Sequence, residues 1–215
     1  MWEFLPVLLQ GLLVTVEIAA MSALLAVIAA FAAGFAKMSK VAWLRWCAAI
    51  YIETFRGTSA LVQLFWLYFV LPQFGITLTA MAVGVLGLGL NIGAYGAEVV
   101  RCAVESVPKR QLEAAMALNL SRWQTLRFIV LPQAFLVMLP PWTNLLIELL
   151  KATALVSLVT LGDLTFKAYQ LNQATFRTIE IFTLVLALYF VVAMAIAGVG
   201  RELERRFGRH RKKEA

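Results

Sequence analysis

Glu105–Gln133 reads ESVPKRQLEAAMALNLSRWQTLRFIVLPQ. It is a polar, charged stretch set between long apolar runs, and its punctuation is that of helices. Pro108 suits the first turn of a helix, where no amide hydrogen is needed. Lys109 to Leu118 are mostly good helix formers. Asn119 then stands where a left-handed end residue is expected, a role open mainly to Gly and Asn. Ser121-Arg122-Trp123-Gln124 has the capping-box pattern, Ser with Gln three residues later, that starts a second helix. Pro132, Pro140 and Pro141 are expected to break or kink the apolar helix that follows. The stretch is therefore a short capped helix, a tight turn and a new helix.

The runs around it need a bilayer. The 215-residue chain is 62% hydrophobic and 14% charged, with a mean hydropathy of +0.83. Soluble domains run about 45–50% apolar and about 25% charged. One soluble core of this length cannot hide that much apolar surface, which excludes an ordinary cytosolic enzyme, a disordered chain and a small disulfide scaffold. Ile18–Phe35, Gly57–Ala97, Phe128–Ile147 and Ile181–Gly200 carry no charge. Gly57–Ala97 is about two crossings long, divided by Leu71-Pro72-Gln73-Phe74-Gly75, a Pro/Gly turn signal. The fold class read from this is an all-α integral membrane protein, one transmembrane domain over 1–215. Its five spans are expected at about 8–35, 50–71, 78–104, 126–149 and 179–203, with a polar cytoplasmic segment at 105–125 and a basic tail at 204–215.

Charge then sets orientation, because basic residues collect on the cytoplasmic side. With the C-terminus inside, that side holds Lys37, Lys40, Arg45 and Arg56, then Arg101, Lys109, Arg110, Arg122 and Arg127, then the tail from Arg201 to Lys213. Only Lys151, Lys167 and Arg177 fall outside. Met1-Trp2-Glu3-Phe4 has no basic lead, so it reads as the start of the first span, N-terminus outside, and not as a secretory signal. The net charge of +7 is topology, and nucleic-acid binding is not needed to explain it. The tail is also suited to anionic lipid headgroups. Cys47 and Cys102 do not read as a disulfide, and the lone His210 belongs to the solvated tail; no metal spacing exists.

Several residues stand out within the spans, since a charge in lipid costs several kcal/mol. Glu17 is expected to be buried or hydrogen-bonded to a neighbouring helix. Glu98 and Arg101, Glu53 and Arg56, and Glu148 and Lys151 are each three apart and suited to pair along a helix face. Glu98, Glu148 and Lys151 also remain candidates for a pathway or gate. Asn91 is placed to hydrogen-bond either a substrate or another helix. Gly84, Gly87, Gly89, Gly93 and Gly96 form a close-packing strip. The segment 152–178 is expected to form short helices at the outer mouth. On spacing alone the short helix at 109–118 is an amphipathic segment on the membrane surface or a docking element. The chain has no Gly-x-x-x-x-Gly-Lys-Ser/Thr loop and no Ser/His/Asp or Cys/His set, so any driving energy must come from a partner.

Glu113-Ala114-Ala115, Asn119 and Leu131-Pro132 resemble the EAA signature of binding-protein-dependent ABC import permeases. Further matches follow in order: Tyr51–Thr58 with Leu61-Val62-Gln63, then Leu90-Asn91, Gly93-Ala94-Tyr95, Glu98 and Arg101, then Ser106-Val107-Pro108, then Asn144, Lys151, Thr153 and Leu155. The set spans about 10–205 and is most similar to the polar amino acid uptake permeases, with ectoine-type permeases also in view. The sequence departs from the pattern at Asn119 and Arg110, each in place of Gly, at Ser59 in place of Pro, and at Ala152 and Ala154 in place of polar residues.

The resemblance implies the type I importer fold and a permease subunit of an ATP-driven importer for polar amino acids or related zwitterions, in a bacterial inner membrane. The short helix becomes a coupling helix, with Arg110, Glu113, Ala114, Ala115 and Asn119 coupling to the ATPase. Asn91, Glu98, Glu148, Lys151 and Thr153 are the implied pathway or gate residues. The implied partners are a second permease, two cytoplasmic ABC ATPase subunits and an extracytoplasmic solute-binding protein. ATP and Mg are used by the ATPases, and this chain is expected to bind no cofactor or metal and to be no enzyme itself. The alanines at 152 and 154 favour a heterodimer whose other permease supplies the polar groups. A passive channel and a non-transporting anchor or sensor remain as alternatives; a channel needs no docking lever.

Overall fold

The computed structural model describes residues 2–208, and these residues form helices and turns with no strand. The α-helices are α1 (Leu5–Lys37), α2 (Ala42–Gly57), α3 (Ala60–Phe65), α4 (Ala80–Glu105), α5 (Lys109–Ala117), α6 (Arg122–Thr125), α7 (Leu131–Ala152), α8 (Leu164–Thr175) and α9 (Thr178–Gly208). A π turn, Trp66–Val70, and a 3₁₀ turn, Leu71–Phe74, continue α3; a second π turn, Leu126–Val130, joins α6 to α7; and a 3₁₀ turn, Thr153–Val159, follows α7.

The core is built on the pairing of α1 with α4. The buried face of α1 is mostly small: beside Leu8 and Ile18, Gly11, Thr15, Ser22, Ala26, Ala30, Ala33 and Gly34 recur at helical spacing. The glycine strip of α4 meets it. Gly84 lies against Ile18, Gly89 against Leu25, Gly93 against Ala29 and Gly96 against Ala30. Both series rise together, so the helices run parallel at close range, as small residues in lipid permit. α7 runs antiparallel to them: Trp142 lies on Gly96, while Met138 packs with Val100 and Ala103. α9 is antiparallel to α7, because Gly200 meets Thr143 and the Phe207 ring sits 5.6 Å from that of Phe135.

Five passages therefore run along one axis. Among the described residues four are helices long and apolar enough to cross a membrane: Leu5–Lys37, Ala80–Glu105, Arg122–Val159 and Thr178–Gly208. The second passage differs from the single helix expected at 50–71. It is broken at Thr58 and Ser59, whose backbones are extended (ψ 153 and 134). A broken helix in hydrocarbon needs its freed carbonyls satisfied from within the protein. Gln63 Nε2 donates to the Phe55 and Thr58 carbonyls at 3.0 and 3.3 Å, and Asn91 Nδ2 donates to Phe55 O at 3.0 Å. Gly75, at φ +82, closes the turn before α4. Pro140 and Pro141 lie inside a continuous α7; the irregularity in that passage falls earlier, at the π turn before Pro132.

One end of the bundle, the basic end, carries Lys37, Lys40, the α4–α7 connection and Arg201, Arg205 and Arg206. The other end holds α8 and an ion pair between Arg177 and Glu3. The tail from Arg209 onward, with His210, lies outside the described residues.

Candidate functional site

The α4–α7 connection folds as its punctuation predicts. Asn119 is left-handed at φ +57. Its N–H donates to Met116 O at 2.9 Å, and the Leu120 N–H donates to Ala115 O at 3.0 Å. This pair of bonds is the Schellman closure of a helix end. The Ser121 capping box is complete, with Gln124 N–H donating to Ser121 Oγ and Ser121 N–H to Gln124 Oε1.

α5 is thus a rigid nine-residue helix with a defined stop, and a side-chain strut fixes it to the next passage. Gln133 Nε2 donates to Gln111 Oε1 and to Ile129 O. The pairing of these glutamines was not legible in the sequence, because it spans 22 residues and exists only once the turn is made. The outward face of α5 carries Arg110, Glu113, Ala114 and Ala117, all exposed and spaced i, i+3, i+4, i+7 on one stripe. Ala115 is not on that face. It is 0% exposed and packs inward, so of the two alanines only Ala114 offers a close-approach surface to another molecule.

A second constellation ties the foot of α1 to the foot of α4. Lys37 Nζ donates to Glu98 Oε1 at 2.5 Å. Arg101 Nε donates to Glu98 Oε2 at 2.9 Å, and Arg101 Nη1 to Glu105 Oε2 at 2.6 Å. The expected Glu98–Arg101 pair is present, but Glu98 also crosses to another helix, and both carboxylate oxygens are occupied. The structure places it in an ion cluster directly before the α5 connection. Lys37 was not singled out from sequence, because its partner is 61 residues away.

A third feature is a polar stripe on α7. Asn144, Glu148 and Lys151 are all exposed, at i, i+4 and i+7. None of them makes a hydrogen bond or ion pair among the described residues, so the expected Glu148–Lys151 pair does not form. Nor does Glu53 pair with Arg56; the Arg56 guanidinium lies 5.3 Å from the centre of the Tyr95 ring instead. Thr153 falls off the stripe. It is 0% exposed, and its hydroxyl donates to Leu150 O at 2.7 Å at the end of α7. Asn91 is likewise committed inside the chain: its amide donates to Phe55 O and, at 3.2 Å, to Gln63 Oε1. Its structural placement is the helix-bonding one.

At the far end, Asp163 caps α8, accepting from Phe166 N–H at 2.9 Å and Thr165 N–H at 3.2 Å. Its side chain has no solvent exposure, and burial pushes its carboxyl from 3.8 up to about 6. Gly11 is what admits this loop: a Cβ there would lie 2.8 Å from Asp163 O. Thr15 Oγ1 receives the Leu164 N–H at 3.0 Å, so α1 and the segment before α8 are joined by backbone-level contacts.

The chain as a whole matches known proteins. Residues 5–209 match the family model described as binding-protein-dependent transport system inner membrane component. The chain is 49% identical over 161 residues to the probable amino-acid ABC transporter permease protein y4tF of Sinorhizobium fredii (strain NBRC 101917 / NGR234), covering 72% of this chain and 68% of that protein. It is 32% identical over 199 residues to the probable permease y4tG of the same organism, covering 93% and 86%. A crystal structure of an amino acid ABC transporter with histidines superposes with a TM-score of 0.90 at 33% identity, covering 96% of each chain.

Proposed function

The chain belongs to the binding-protein-dependent inner-membrane transport components, and from that premise we propose that it is a permease subunit of an ATP-driven importer of polar amino acids or related zwitterions. The observation that carries the coupling role is the exposed α5 face of Arg110, Glu113, Ala114 and Ala117, on a helix capped at its end and strutted to α7 by Gln111 and Gln133. A lever needs that combination: an outward surface for the partner and stiff joints behind it. The basic end would then face the cytoplasm, a reading the cation distribution supports.

In this reading two ATPase subunits bind and hydrolyse Mg-ATP and push on α5. The foot cluster of Lys37, Glu98, Arg101 and Glu105 carries the push into α1 and α4 as one body. The stripe of Asn144, Glu148 and Lys151 faces the path between two permeases, where its unpaired groups meet water and solute instead of lipid. A solute-binding protein delivers the substrate at the far end. A heterodimer is favoured, supported by the alanines at 152 and 154 and by similarity to two distinct permeases of one organism. The test is Ala114→Trp in the complete transporter in proteoliposomes. The expected result is loss of ATP-driven uptake with the complex still extractable and monodisperse. Unchanged uptake would overturn the docking role.

A further inference from the structure

Glu17 lies on the outermost line of α1. The core side of that helix is Leu8, Gly11, Thr15, Ile18, Ser22 and Ala26. At about 100° per residue Glu17 points roughly 150° away from the middle of that side. The surrounding exposed line is Gln10, Leu13, Ala20 and Leu24, with Leu13 and Leu24 at 72% and 66% exposure. Glu17 is exposed and makes no hydrogen bond or ion pair among the described residues, in contrast to the buried or bonded placement expected from sequence.

Its depth is fixed by neighbouring helices. On α9 the charge-free run 181–200 is about 30 Å long, one hydrocarbon thickness. α1 meets the start of that run where Phe4 and Leu8 pack with Ile181. It meets the end near Ala30, which shares Gly96 with Trp142, whose neighbour Thr143 touches Gly200. Glu17 is nine residues from Leu8 and thirteen from Ala30, about 13 and 20 Å along the axis. That is close to mid-depth.

A carboxyl group facing hydrocarbon at that depth costs several kcal/mol unless a donor meets it. Lipid tails offer none, and the ATPases and the solute-binding protein lie outside the hydrocarbon. Only another membrane-spanning chain reaches the position. We infer that the Gln10–Leu24 face of α1 is the surface covered by the second permease subunit, which presents a hydrogen-bond donor or a cation to Glu17. The inference rests on the paired-permease reading but assigns a face that the reading leaves open.

The test places a benzophenone amino acid at position 17 in the complete transporter, with the two permeases carrying different tags. Irradiation in native membranes is expected to give one product bearing two permease chains. Glu17→Leu is expected to lower recovery of the paired permeases about tenfold, the equivalent of one lost hydrogen bond to a charged group, and Glu17→Gln to restore most of it. Lipid-only adducts at position 17, labelling of Glu17→Cys by a membrane-impermeant thiol reagent, or a Glu17→Leu transporter that pairs normally would each overturn the assignment. If the permeases still co-purify and Ala114→Trp still uncouples, only this inference falls and the proposed function stands.

Discussion

Gln63→Leu and Asn91→Leu, made singly and together, probe how the break in the second passage is tolerated. Phe55 O holds two donors, Gln63 Nε2 at 3.0 Å and Asn91 Nδ2 at 3.0 Å. Either substitution alone leaves it with one. Side-chain hydrogen bonds within membranes average about 0.6 kcal/mol, so Asn91→Leu, which removes two such bonds, is expected to cost about 1 kcal/mol. Gln63→Leu also frees Thr58 O and Thr58 Oγ1, but at an exposed edge, so its cost stays near 1–2 kcal/mol. Two effects then act in opposite senses in the double variant. The Asn91–Gln63 bond is counted in both singles and lost only once, which makes the pair less than additive by about 0.6 kcal/mol. Phe55 O becomes a part-buried carbonyl with neither side-chain donor, which adds about 1–3 kcal/mol. The second effect wins, so the double variant should exceed the sum of the singles by roughly 0.5–2 kcal/mol. Denaturant-induced loss of helicity in mild detergent, followed for all four proteins, measures that coupling. A double variant equal to or milder than the sum would refute the idea that these two amides jointly seal the break.

Three further outcomes follow from local geometry. Gly93→Val should lower thermal stability strongly, because even a Cβ would sit 2.9 Å from Ala29 Cβ and 3.2 Å from Ala26 O, whereas Gly198→Ala, with nothing within 4 Å, should leave the melting temperature unchanged. Asn119→Val should loosen the end of α5 by about 1–2 kcal/mol, the cost of a left-handed conformation for an ordinary residue, and Asn119→Gly should not; limited proteolysis at the 118–121 turn reads the difference. Asp163 binds its proton more tightly when folded, so its contribution to stability is greatest at low pH, falls as pH rises between 3.8 and about 6, and is level above that. The difference in melting temperature between the wild type and Asp163→Asn, taken from pH 4 to 7, should show that slope, and a flat difference would rule it out.

What the sequence discloses and what it hides divide along physical lines. The α5 stop at Asn119 and the capping box at Ser121 were legible because caps are local: a residue type, a spacing and a few backbone bonds determine them. The glycine strip of α4 was legible for the same reason, since periodicity marks a face whatever lies against it. The break at Thr58 was not legible. Nothing in Gly57-Thr58-Ser59 ends a helix as firmly as proline would, and the break holds because Gln63 and Asn91 reach Phe55 O, a contact set by the packing of α4. Sequence pairing rules anticipated Glu98–Arg101 but equally anticipated Glu53–Arg56 and Glu148–Lys151, which do not form. A three-residue spacing makes a pair possible; Lys37 arriving from α1 is what holds Glu98 in place.

The inward turn of Ala115 shows why a motif alone does not locate a docking face. Within Glu113-Ala114-Ala115 the three side chains are about 100° apart around the helix, so they cannot all face one partner. The Leu120 N–H bond to Ala115 O and the Gln111–Gln133 strut fix the helix's rotation, and that rotation turns Glu113 and Ala114 outward while it seals Ala115 against its own chain. On the proposed coupling role the motif serves two ends through different atoms: the exposed Ala114 would let a partner approach, and the buried Ala115 lets the helix seat on its own chain. Ala115→Trp, overpacking a fully buried site at a typical cost of about 1–3 kcal/mol, should therefore act by unseating α5 and should lower the stability of the isolated permease in detergent. Ala114→Trp should leave that stability unchanged and abolish coupling. If both variants melted like the wild type, the helix would not be rotated as described, and the assignment of its two faces would fail.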